Sequence, residues 1–218
     1  MLFDLKKQAL IASGLKGGNR LAVVTDKLEF LFQQFLLYND DSLSIQTRAK
    51  SLFDWLWKYK PGRYRPNGNY RLDEVIDAQS RDGDHMVGNC LGLTQLYNCL
   101  LEMIGIQAEA LHLQNGFGMG PHVLTLLRID DDTIYVENIL SQGFDYKGHP
   151  HDPTAERWGP KELVADVYHS TGNTLFHRGE FNKALKNYQK ALKLNPHYES
   201  ASLNIAILMD RLRRGRPQ

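Results

Sequence analysis

Apolar residues recur at helical spacing through most of the first 60 positions. Leu28, Phe32, Phe35 and Leu36 form one stripe; Ala49, Leu52, Phe53, Leu56 and Trp57 form another. Residues 2–60 are therefore predicted helical, with Asn39-Asp40-Asp41-Ser42 as the turn between the stripes and Asp41 or Ser42 as a cap. Pro61, Gly62, Pro66 and Gly68 break the pattern. A surface loop is expected over 60–70, where Arg63, Arg65 and Arg71 interleave with Tyr64 and Tyr70. A short helix over 72–78 leads into a polar approach. From Cys90 the 3.6 period returns through Leu93, Leu96, Tyr97, Leu100, Leu101 and Ile104, and Gly105 stands where a helix end tolerates positive φ. Beyond it the period drops to 2. Strands are predicted over 107–113, 122–129 and 133–140, the last two joined at Asp130-Asp131-Asp132 as a hairpin. The acids at that tip are turn formers before they are a cation site.

The loop 114–121 between the first two strands holds Gly116, Gly118 and Gly120. It is not a phosphate loop, because no Lys-Ser/Thr follows and the next element is a strand. From Glu162 the helical period resumes with a different signature. Tyr168, Gly172, Leu175, Gly179, Phe181, Ala184, Tyr188, Ala191 and Pro196 fall at the offsets of a tetratricopeptide hairpin, about 34 residues of paired helices with small residues at the crossing. The segment 199–214 (Leu203, Ile207, Leu208) reads as a capping helix. One repeat cannot bury its own faces, so it must pack on the preceding domain or on another chain. Deleting 162–218 is expected to expose apolar surface and cause aggregation. The division predicted is a domain over 1–160 and a helical tail over 161–218.

Composition changes this picture little. The 218 residues are 42% hydrophobic and 23% charged, with formal net charge +1. That balance gives no global electrostatic case for nucleic acid or an anionic membrane. The basic run Arg211, Arg213, Arg214 and Arg216 reads as a solvated helix end. No apolar stretch reaches the roughly 18 residues of a membrane span. Asp4 and the mixed segment 8–14 argue against a secretory signal. Cys90 and Cys99 are nine apart on one predicted helix, hence on roughly opposite faces, and cannot bridge. A reducing cytoplasm is the expected location.

Candidate chemistry starts at Gly88-Asn89-Cys90-Leu91-Gly92-Leu93-Thr94. A thiol at a helix N-terminus sits at the positive end of the dipole among unpaired N–H groups, which favours a thiolate. The competing reading is a buried, inert cysteine. A nucleophilic thiol needs a base and a group to orient that base. His122 opens the strand after the glycine loop, and the next strand offers Glu137 and Asn138. In an ungapped hairpin, a loop of Asp131-Asp132 makes Asp130 face Thr133 and puts Glu137 on the face of His122. A loop of all three acids makes Ile129 face Thr133 and puts Asn138 there instead. Either side chain can accept from an imidazole N–H. A metal reading draws on His112, His122, His149, His151 and Asp152, but the spacing matches no zinc pattern and the prolines at 150 and 153 mark a bending loop. No metal or cofactor is expected.

These motifs, with Gly105-Ile106, Pro121-His122-Val123 and Tyr135-Val136-Glu137-Asn138, resemble the transglutaminase-like cysteine superfamily over about 72–148. The likeness is to the bacterial branch, in which such a core precedes tetratricopeptide repeats. The resemblance implies an α+β fold: a papain/transglutaminase-like core, with N-terminal helices and a Cys-bearing helix on a small antiparallel sheet, then a tetratricopeptide hairpin and capping helix. It implies Cys90 as nucleophile, His122 as base and acid, and Glu137 or Asn138 as orienter, acting by acyl transfer on a peptide or amide substrate. Val123 replaces the usual aromatic after the His, and Glu or Asn the usual Asp. The alternative is a non-catalytic binding module that recruits a protein partner through groove and tail.

Overall fold

The computed structural model describes residues 3–83, 86–149, 152–153 and 155–214. Three helices come first: α1 (Leu5–Ala12), α2 (Gly18–Leu36) and α3 (Ile45–Lys58). Asp4 caps α1 by accepting from the Lys7 N–H at 2.9 Å. The cap of α3 is Ser44, which accepts from Thr47 N–H, and not Asp41 or Ser42. Asp40 Oδ1 instead draws the backbone N–H and hydroxyl of Ser42 into an Asx turn, delaying the helix by two residues. The two apolar stripes bury as expected, with Leu28, Phe35, Leu52, Phe53 and Leu56 inaccessible or nearly so.

After α4 (Leu72–Ser80) comes α5 (Cys90–Met103), whose residues 91–101 are all buried. A helix enclosed all round anchors a core; truncating one of its leucines costs about 2–5 kcal/mol. It packs on a four-stranded antiparallel sheet of β1 (Ala108–Leu113), β2 (His122–Ile129), β3 (Asp132–Val136) and β4 (Glu156–Trp158), in the order β3-β2-β1-β4. The short edge strand β4 is absent from the sequence reading; three residues are too few to show a period. The third strand is shorter than the expected 133–140. After Val136 the chain turns back, Glu137 N–H donating to the Gly143 carbonyl and Gly143 N–H to that of Leu140.

The segment 60–70 is not simply a surface loop. Tyr64 bridges to Gly88, and the Arg63 carbonyl accepts from the N–H groups of Val87 and Gly88. Arg63 is buried, its guanidinium over the Trp57 ring at 5.4 Å, and that burial lowers its pKa to about 9. A guanidinium pays this desolvation because its flat face packs on an aromatic ring. The strap fixes the approach to Cys90.

The tail is α6 (Pro160–His177), α7 (Phe181–Leu194) and α8 (Glu199–Arg214). Helix α6 lies against α1, and Leu163, Val164, Val167, Tyr168 and Tyr198 join the same hydrophobic cluster as α5. Tyr70 and Thr174 hydroxyls meet at 3.1 Å. The hairpin thus buries its inner face on the preceding helices, as a lone repeat must. Its other side leaves Leu203 and Ile207 of α8 exposed.

Candidate functional site

Asn89 caps α5, its Oδ1 accepting from Gly92 N–H at 3.0 Å, so the thiol-bearing residue occupies the first helical position. Asn89 N–H in turn donates to the Asn69 carbonyl at 3.0 Å, tying the turn to the strap. Cys90 is half-buried; Cys99, nine residues on, is fully buried, and burial raises its thiol pKa beyond the normal range. Among the free thiols only Cys90 has access to solvent and to an imidazole.

That imidazole is His122, the first residue of β2. The glycine loop presses directly on it: a Cβ on Gly116 would stand 2.3 Å from His122 Cβ. Phe117, held at φ +53°, meets the His122 ring edge-on at 5.4 Å. A non-glycine residue in that region is strained, and here the strain turns a large ring onto the histidine. His122 Nε2 lies 2.8 Å from Glu137 Oε2, both side chains buried, and the Cys90 thiol is near enough to the same imidazole to act on its titration. Burial opposes the imidazolium, but Cys90 and Glu137 outweigh it and hold the His122 pKa up to about 9. Burial likewise opposes the Glu137 carboxylate, yet the His122 and His149 contacts bring its pKa below the usual value.

The hairpin register decides between the two candidate orienters. Ile129 pairs with Asp132, leaving Asp130-Asp131 as the loop, with Asp130 at φ +55°. This two-residue loop lies one position earlier than the predicted one but has the same parity, so Glu137 shares the face of His122. Asn138 does not reach that histidine. Its amide donates to the Thr94 and Thr125 hydroxyls at 3.2 and 2.9 Å and to the Val136 carbonyl. With Thr125 donating to Asn98, it forms a buried polar seam between α5 and β2. Gly143 makes the Glu137 turn possible: a Cβ there would sit 2.0 Å from the Glu137 carbonyl oxygen.

Two neighbours, Tyr64 of the expected surface loop and His149 of the metal reading, stand beside the site in places the sequence does not show. Tyr64, carried by the strap, stands close enough to Cys90 and Glu137 that, after burial, their charges raise its phenol pKa. His149 approaches Glu137 Oε2 with its Nε2 at 3.5 Å and packs edge-on against Phe117 at 4.6 Å. At that separation His149 Nε2 makes no hydrogen bond, although its side chain is only 10% exposed. Potential ligand atoms of His122, Glu137 and His149 all lie within 4.8 Å of one another. His112, another residue of the metal reading, is elsewhere, stacked on Trp158 at 3.9 Å. His151, with Pro150 and Arg216, lies outside the described residues. No local signal joins Tyr64 to Cys90 or His149 to Glu137; a strap and a long-range turn do.

Gln114 and Pro121, which flank the glycine loop, line a cleft of about 430 Å³ together with His112, Tyr198, Ser200 and Leu203. One wall of this cleft is therefore sheet and loop, the other the start of α8. No described helix is long and apolar enough to cross a membrane.

Comparison with protein-family models matches residues 165–198 to the tetratricopeptide repeat, and detects no transglutaminase-like family over the core. No curated protein and no solved structure matches the chain. The match coincides with the inner part of α6, α7 and the turn into α8, where Gly172 lies under Tyr188 at the helix crossing. The repeat is of a protein-interaction type, and a protein-interaction module is the function it supports.

Proposed function

We propose that this protein is a thiol-dependent acyl-transfer enzyme whose tetratricopeptide hairpin engages a protein partner or substrate. One observation carries the enzymatic part: a buried His122–Glu137 pair at 2.8 Å, whose imidazole stands near a thiol at a helix N-terminus. Nε2 is committed to Glu137, which leaves Nδ1 for the thiol and fixes the ring between them.

In this reading Cys90 gives its proton to His122, and the sulfur attacks an amide carbonyl. The S–C bond forms and the carbonyl π pair moves to oxygen, where the Cys90 backbone N–H at the helix start donates. As the oxyanion collapses, the C–N bond breaks and His122 protonates the leaving amine. Water or an acceptor amine, deprotonated by His122, then attacks the thioester; the new acyl bond forms, the C–S bond breaks and the thiol regains its proton. Glu137 holds the imidazole and offsets its positive charge throughout. A free working thiol suits a reducing, cytoplasmic setting.

The test uses p-nitrophenyl acetate as acyl donor, with mass spectrometry to locate the adduct. An acetyl group on Cys90 that is lost in Cys90→Ala and suppressed in His122→Ala supports the enzyme. A second reading is favoured by the tetratricopeptide match, which speaks for it more directly than for catalysis: an interaction module without chemistry. Absence of acylation at Cys90, with the protein folded, leaves that reading.

A further inference from the structure

We propose that His122, Glu137 and His149 form a binding site for a zinc ion, bound through two imidazole Nε2 atoms and one carboxylate oxygen. The three side chains come from the start of β2, the turn after β3 and the following loop, and their ligand atoms lie within 4.8 Å of one another. The measured edges are 2.8 Å from His122 to Glu137 and 3.5 Å from His149 to the same oxygen. Ligands about 2.1 Å from a tetrahedral ion stand about 3.4 Å apart, so small side-chain adjustments close the set around a metal. Two imidazoles with one carboxylate, leaving an open position, suit a borderline ion such as Zn²⁺ rather than a hard ion such as Mg²⁺ or Ca²⁺.

The independent pointer to a ligand is His149. Its side chain is nine-tenths buried, aimed at Glu137, and its Nε2 is without a hydrogen-bond partner. The carboxylate Oε2 is already committed to His122, so a second imidazole beside it is left over in the metal-free protein. A dication satisfies all three groups at once, whereas a proton satisfies only the first pair. Phe117, edge-on to both imidazoles at 5.4 and 4.6 Å, packs the rings in the orientation that converges on the carboxylate.

The site has a consequence that rests on the proposed function. An ion on His122 Nε2 replaces the proton shared with Glu137 and leaves Nδ1 carrying the ring's only proton. Such an imidazole donates to the thiol but cannot take its proton. Zinc is thus a reversible inhibitor of Cys90, and metal binding excludes acyl transfer.

The experiment titrates Zn²⁺ into chelator-stripped full-length protein by calorimetry and thermal melting. Wild type is expected to take up one equivalent and to melt higher. His149→Gln and His149→Ala are expected to weaken binding by at least about tenfold while melting as wild type does in chelator. Cys90→Ser is expected to bind as wild type does. No uptake, uptake unchanged in both His149 variants, or uptake lost in Cys90→Ser overturns this ligand set. Iodoacetamide labelling of Cys90, with and without zinc, reports separately: slower labelling restored by chelator supports the inhibition. Zinc uptake with unchanged labelling retains the metal site and instead refutes His122 as the base for Cys90.

Discussion

Among the described residues a histidine is packed beside a carboxylate in two separate places, and the two behave differently. In the core, His122 pairs with Glu137, keeps a nitrogen for Cys90, and has the unpartnered His149 next to it. In the helical hairpin, His169 lies 3.6 Å from Asp166, but both its nitrogens are taken: Nδ1 by the Tyr198 hydroxyl at 3.2 Å and Nε2 by the Asn204 amide at 3.0 Å. Tyr198 also donates to Asp166, Asn204 to Asn173, and the Tyr188 hydroxyl to Asn173. Burial opposes the Asp166 carboxylate, yet the bonds from His169 and Tyr198 lower its pKa. The second network is closed, with no nucleophile among these partners. A buried His–carboxylate pair is therefore not a site by itself; an open valence beside it makes one. The closed network rigidifies a hairpin junction; the open one, in the proposed function, positions a thiol.

The largest expected effect sharpens how far the two regions depend on each other. Removing residues 162–218 strips Leu163, Val164, Val167, Tyr168 and Tyr198 from the shared core. The remainder is expected to aggregate, as followed by size-exclusion chromatography; a soluble monomer with unchanged melting would show that the tail stands apart. Next comes His122→Ala, expected to slow acylation of Cys90 by about 100-fold or more. The matched His169→Ala should leave that rate alone and lower stability by about 1–3 kcal/mol, since Tyr198 and Asn204 lose a buried partner. An equal loss of acylation in both variants would erase the distinction. Gly116→Ala forces a methyl to 2.3 Å from His122 Cβ and should reduce acylation about tenfold by displacing the ring.

The last effect is on pH. His122 has its pKa raised from 6.5 to about 9 in the fold. The stability this contributes, roughly 3 kcal/mol, is fully present below pH 6.5 and is lost as pH rises through about 9. Denaturant titrations in chelator should display that slope in wild type and lack it in His122→Gln.

Much of this arrangement is legible in the sequence because it is local. The 3.6-residue period after Cys90 and the start of β2 at His122 each follow from neighbouring residues, and the tetratricopeptide offsets lie within one hairpin. Glu137 was legible only as one of two candidates, because a single-residue slip at the aspartates exchanges it with Asn138. The structure separates them: the Glu137 side chain turns to His122, and the Asn138 amide is consumed by Thr94 and Thr125. The strap carrying Arg63 and Tyr64 was misread as surface, since Pro and Gly report a broken backbone but not what it lies across. His149 was legible as a candidate metal ligand but not as a neighbour of Glu137; that approach depends on the turn that Gly143 permits.

The central claim is that Glu137 and His122 together make Cys90 reactive. It is tested most directly by the iodoacetamide labelling rate of Cys90 in wild type and in Glu137→Gln, resolved from Cys99 by peptide mass spectrometry. Glutamine keeps the shape and an acceptor oxygen but not the charge. The account predicts rapid labelling of Cys90 in wild type, with Cys99 untouched, and a fall of at least about tenfold in Glu137→Gln. Equal Cys90 rates in the two folded proteins would contradict it.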